Sequence, residues 1–152
     1  MKKTVLVGCA GTGTAFAAVS ALRRTWKNDV KIVCADINSP HLVTAALLAD
    51  VFEVVRSVSD QLYPAELVRI IAKHKVSVYL PLMPEEIIIA ASLKASLPAH
   101  QNLRILAPCE ELAVKVCDKW QAAQLLLGAG LPSPRTYLGS AASLPSQNLI
   151  VK

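Results

Sequence analysis

Five short apolar runs, separated by segments of helical periodicity, constrain this chain more than any other feature. They are "TVLVG", "VKIVCAD", "VFEVV", "VSVYLPL" and "LRILAPC", beginning at residues 4, 30, 51, 76 and 103. Strands so uniformly apolar are covered on both faces, which favours a parallel sheet inside two helical layers. Between the first two runs, Ala15, Ala18, Val19, Leu22 and Trp26 share one helical face. Ser39 as N-cap and Pro40 at the first helical position start a second helix through "SPHLVTAALLAD". Leu67, Ile70, Ile71 and His74 mark a third. Pro84, Glu85 and Glu86 open a fourth, with acids at its positive end. Leu112, Val116, Trp120, Ala123 and Leu127 form one stripe on a last helix. Strict alternation implies right-handed crossovers. The expected fold is an α/β, doubly wound five-stranded parallel sheet of order 3-2-1-4-5.

A chain of 152 residues suits one domain and can bury roughly 70% of its unfolded surface. Hydrophobic residues at 53% against 18% charged exclude a disordered chain. The net charge of +5 is scattered as "KK", "RR", "KHK" and singles, without interleaved aromatics. It reads as a solvated surface, not a nucleic-acid footprint. Cys9, Cys34, Cys109 and Cys117 lack CxxC spacing and read as reduced, small buried hydrophobes of a cytoplasmic protein. His41, His74 and His100 show no paired metal spacing, so no metal ligand is assigned. The opening apolar run stops at Gly8, and the run from Ile87 is flanked by acids and broken by Lys94. Neither is a signal segment or a membrane span.

The stretch "GCAGTGTA" reads Gly8-x-Ala10-x-x-Gly13, a dinucleotide fingerprint whose middle glycine is alanine. It follows a strand and precedes a helix, so its amides and the helix dipole favour an anion. Three readings stay open: a tight turn without ligand, a general anion or carboxylate site, and NAD(P). Asp36 stands twenty-three positions past Gly13, roughly where a ribose-binding acid sits. It is equally an ordinary acid leading into the capped turn "DINSP".

Near the end of the chain, Gly130 suits a left-handed helix cap, Leu131 its hydrophobic contact, and Pro132 forbids continuation. With "CDKWQAAQLLL" before it and "PSPRTY" after it, this run resembles a signature of the ATP-grasp superfamily. There an Asp-Lys pair opens a helix that ends in a Gly-Ile-Pro-x-Pro-like turn, followed by a strand ending in lysine. The matching pieces are Asp118-Lys119, Gly130-Leu131-Pro132-x-Pro134, Thr136-Tyr137 and "LIVK" ending at Lys152. Earlier stretches, "LLADVFEVV" and "PLMPEE", are similar to the N-terminal domains of carbamoyl phosphate synthase-like members. Pro84 stands where those domains commonly carry an acid.

The resemblance implies a Rossmann-like pre-ATP-grasp domain over 1–130, and a linker with the first strand of a truncated ATP-grasp domain over 131–152. It implies an ATP-dependent ligase that activates a small-molecule carboxylate as an acyl phosphate for attack by an amine or other nucleophile. Lys119 and Lys152 would contact ATP. The loop of Gly8, Ala10, Gly11 and Gly13, together with Glu85, would face the substrate. Mg²⁺ ligands and a transition-state arginine would lie past residue 152, this piece alone would be inactive, and a homo-oligomer stays open. The competing expectations are an NAD(P)-binding Rossmann domain of a dehydrogenase or regulatory protein, and a stand-alone α/β interaction module.

Overall fold

A computed structural model describes residues 2–96 and 102–137. The strands β1 (Lys3–Val7), β2 (Val30–Asp36), β3 (Val51–Val54), β4 (Val78–Leu80) and β5 (Arg104–Ile105) form one sheet. Its order is β3-β2-β1-β4-β5, with every neighbouring pair parallel, as the alternation predicts. Central β1 fixes the register: Val5 pairs with Ile32 and Val78, and Val7 with Cys34 and Leu80.

Side chains alternate across the sheet and feed two separate cores. On one face Val5, Val7, Ile32 and Cys34 pack with Ala15 and Val19 of α1 (Gly13–Trp26). On the other, Leu6, Val33 and Tyr79 pack with Leu67 and Ile70 of α2 (Tyr63–His74) and Ala90 of α3 (Pro84–Ser96). Leu6 and Ile32 are fully buried, and each such side chain stabilises the fold by about 2 kcal/mol. The chain steps outward from β1 through β2 to β3, then returns past β1 to β4. That reversal opens a crevice at the carboxyl ends of β1 and β4, where ligands of open α/β sheets bind.

Three local expectations are corrected. The helix expected from Ser39 is two short 3-10 turns, Pro40–Leu42 and Thr44–Leu48, and the Ser39 side chain makes no cap bond. Val43 between them is extended, at φ −118° and ψ 109°. Burying Val43 and Ala45, two residues apart, outweighs the helical stripe and leaves Leu42 and Leu47 exposed. The last helix is also two: α4 (Glu110–Cys117) and α5 (Lys119–Gly128). Asp118 interrupts the stripe in extended conformation, and its carboxylate accepts from Gln121 N at 2.7 Å. Asp competes for backbone donors, so it prefers a cap to a helix interior. Of the four cysteines, only Cys34 is buried and Cys109 is exposed.

The chain divides into two compact units, Met1–Ala113 and Val114–Lys152. In the second, Gly130 at φ 70° takes the left-handed conformation that a side chain disfavours. Gly130 N donates to Leu127 O at 3.0 Å and Leu131 N to Leu126 O at 2.9 Å, the double closure of a Schellman cap. The strand expected at "LIVK" lies outside the described residues. Among those described, no helix is long and apolar enough to cross a membrane.

Candidate functional site

Residues 8–12 carry the chain from β1 to α1 across the carboxyl edge of the sheet. Gly8 N donates to Leu80 O at 3.2 Å and Ala10 N to Ala35 O at 3.0 Å, which stitches the loop to β4 and β2. Gly11 N donates to Asp36 Oδ2 at 2.6 Å, and Thr12 N to Cys9 O at 3.2 Å. Thr12 then caps α1, its hydroxyl accepting from Ala15 N at 3.1 Å. Gly8, Ala10 and Gly11 therefore spend their amides on the shape of the loop. Among the described residues, the amides of Cys9, Gly13 and Thr14 have no protein acceptor. Gly13 and Thr14 open α1, where unpaired N–H groups and the helix dipole favour an anion.

Asp36 is buried and accepts three hydrogen bonds. Beyond Gly11, it accepts from Asn38 N at 2.9 Å and Asn38 Nδ2 at 2.8 Å through Oδ1. A ribose would have to displace bonds that hold the loop to β2, which counts against the NAD(P) reading.

The residue that the sequence did not single out is Glu86. Glu85 is exposed in the first turn of α3, whereas Glu86, one position on, is wholly buried. Its Oε1 accepts from Tyr79 Oη at 2.7 Å and Tyr63 Oη at 2.9 Å, and its Oε2 from Leu82 N at 2.9 Å. The carboxylate lies directly under Gly8, in the space where a Cβ at that position would project. Gly8 is thus required by an internal carboxylate, whether or not a pyrophosphate ever approaches. One signal could have found Glu86: it is the third residue of a helix that Pro84 opens, the position from which a glutamate reaches back to the preceding backbone.

These acids govern the thiol beside them. Burial, then the Glu86 carboxylate, then Asp36 and Glu85 push Cys9 far above the ordinary thiol range. Cys9 stays protonated, which removes it as a nucleophile. Burial followed by Glu86 likewise raises the Tyr63 and Tyr79 hydroxyls, so both remain donors.

Gly8, Ala10, Gly11 and Gly13 therefore meet at one edge, with Glu85 close enough to act on Cys9. Lys119 is the exposed first residue of α5 in the other unit, and Lys152 lies outside the described residues. Among the described residues no group of three or more His, Cys, Asp or Glu could hold a metal ion.

No protein-family model and no curated protein matches this sequence. Solved structures do. The biotin carboxylase domain of a single-chain bacterial carboxylase is 20% identical at a TM-score of 0.55, over 86% of this chain and 29% of that one. The biotin carboxylase domain dimer of the Hydrogenobacter thermophilus 2-oxoglutarate carboxylase is 16% identical at 0.55, over 86% and 28%. This chain shares their fold. A complete multifunctional pyruvate carboxylase from Rhizobium etli matches too, at 15% identity and a TM-score of 0.53, over 88% of this chain and 13% of that one. The chain spans less than a third of the biotin carboxylase domains that it matches. The Hydrogenobacter thermophilus domain is in complex with MgADP, ADP and bicarbonate.

Proposed function

We propose that this chain is the Rossmann-like part of an ATP-dependent ligase of the ATP-grasp type, which activates a carboxylate as an acyl phosphate for attack by an amine or other nucleophile. The observation that carries the proposal is the shared biotin carboxylase fold over 86% of the chain. The helix α5, opened by Asp118-Lys119 and closed at Gly130, supports it, since that is the element the ATP-grasp resemblance implies.

On this reading the pre-ATP-grasp domain covers 1–130, and 131–152 leads into an ATP-grasp domain in a longer, cytoplasmic protein. Lys119 and Lys152 would offset phosphate charge, which is most of what phosphoryl transfer asks of a protein. The amides at the start of α1 would receive the carboxylate of the substrate, and bicarbonate is the first candidate because the neighbouring domain binds it. Mg²⁺ would be held by residues other than those described.

Calorimetry with Mg·ATP tests the division of the site. Lys119 alone is one exposed cation, a contact that typically gives ~1 kcal/mol or less. Millimolar affinity already requires roughly 4 kcal/mol. The 152-residue chain should therefore give no binding heat. In the longer protein, Lys119→Ala should raise the KM for ATP by about tenfold, a loss of roughly 1.4 kcal/mol. Tight ATP binding by the 152 residues alone would overturn the proposal. Unchanged ATP dependence in Lys119→Ala would remove that lysine from it.

A further inference from the structure

We infer that Glu86 is the positioning residue of the loop between β1 and α1, setting the height at which the free amides of Gly13 and Thr14 stand over the crevice. Four segments converge on this one carboxylate. Tyr63 comes from the start of α2, Tyr79 from β4, Leu82 from the turn before α3, and Gly8 rests on it from the end of β1. A carboxylate removed from water is unfavourable unless its lone pairs are filled, and a core position has no need of one for packing alone. Here every donor comes from an element that borders the crevice.

The loop is gripped from below by Glu86 and from the sides by Leu80 O and Ala35 O. Cys9, in the middle of that grip, sits at φ 45°, a conformation that a side chain disfavours and that persists only where its surroundings enforce it. The ligand-facing purpose of this arrangement rests on the proposed substrate role of the loop. The geometry does not, and the two can fail separately.

Cys9 reports on the loop without any nucleotide. Iodoacetamide labelling of each cysteine, resolved by peptide mass spectrometry from about pH 7 to about pH 10, follows its thiolate fraction. Glu86→Gln keeps the shape of the side chain, removes the charge beneath Cys9, and replaces one acceptor oxygen with an NH₂ group. Labelling of Cys9 should rise about tenfold, the change that one unit of thiol pKa gives. Cys34, buried within β2, should be unaffected, which separates a local shift from global loosening. Glu85→Gln, an exposed acid on the same helix, should change Cys9 by less than about twofold because water screens it. If Glu86→Gln does not fold, Tyr79→Phe removes one donor from the same oxygen while leaving the charge, so a rise in Cys9 labelling there reports a loosened loop and not a lost charge. Cys9 labelling unchanged in both Glu86→Gln and Tyr79→Phe, or rising only in step with Cys34, would overturn the inference.

Discussion

At the carboxyl edge of the sheet the chain gathers Asp36, Glu85 and Glu86; at the amino edge Lys2, Lys3 and Lys75 line a cavity of about 490 Å³. For Glu85, Glu86 and Lys75, which stand at helix ends, one cause applies. In a parallel α/β sheet every crossover helix starts at the carboxyl edge and ends at the amino edge. Acids therefore suit the first turns and bases the last turns. The sequence obeys this: Glu66, Glu85 and Glu86 open α2 and α3, while Arg23, Arg24, Lys73 and Lys94 close α1, α2 and α3. Lys75, which closes α2 beside the amino-edge cavity, thus needs no ligand to account for it. The two edges differ in burial. Lys2, Lys3 and Lys75 are exposed and exchangeable, whereas Asp36 and Glu86 are buried and bonded to named donors. Sorting by charge marks both edges alike; only burial marks the one with a built interior.

The largest test of that contrast is Gly8→Ala. The added methyl meets a carboxylate that three hydrogen bonds hold in place, so it cannot swing aside as the tip of a free side chain would. Overpacking of this kind should lower the unfolding free energy in urea by about 3 kcal/mol. A loss below about 1 kcal/mol would mean that Glu86 yields, and that the carboxyl edge is no more built than the other.

A smaller effect is expected from Asp50, at the amino end of β3. Burial raises its pKa, but the bond from Ile32 N and the Arg23 guanidinium outweigh that and hold the carboxyl below its ordinary range. A folded pKa below the unfolded one gives stability that is complete above about pH 4 and is lost as pH falls through the folded value. Asp50→Asn should thus cost about 1 kcal/mol near neutrality, after allowance for solvent screening, and should flatten the acid limb of a stability-against-pH curve. An acid limb as steep in the variant as in the parent would show that the pair is a surface contact of no weight.

Lys75→Gly should act in the opposite direction. Lys75 closes α2 at φ 50°, where glycine is unstrained. Relief of the left-handed conformation outweighs the added freedom of the unfolded chain, for a gain of about 0.5 kcal/mol in the same urea titration. A loss on that substitution would mean that the lysine charge at the amino edge contributes more than the backbone strain.

The legible parts of this molecule were those with a local or periodic cause. Strand positions and the doubly wound parallel sheet followed from apolar runs alternating with helices, and the order expected of a Rossmann-like sheet is the one found. The Gly130 cap was readable because left-handed backbone and a following proline are local chemistry. The helix expected over 39–50 failed where burial of Val43 and Ala45 under the sheet mattered more than the Ser-Pro start. The site was legible only in outline: the Gly8–Gly13 loop falls at the carboxyl edge, and the buried Glu86, next to the expected Glu85, was not singled out.

By itself, then, the sequence determined the strands, the helical layers around them and the turn from β1 to α1, since each depends on patterns spanning a few neighbouring residues. Only the tertiary structure decided which acid turns inward and why residue 8 has no side chain. Glu86, Tyr63, Tyr79 and Gly8 are far apart in the chain, and nothing in their spacing says that two hydroxyls, one amide and one missing methyl enclose the same carboxylate. Burial assigns that role, because a carboxylate away from water persists only where the fold brings enough donors to it.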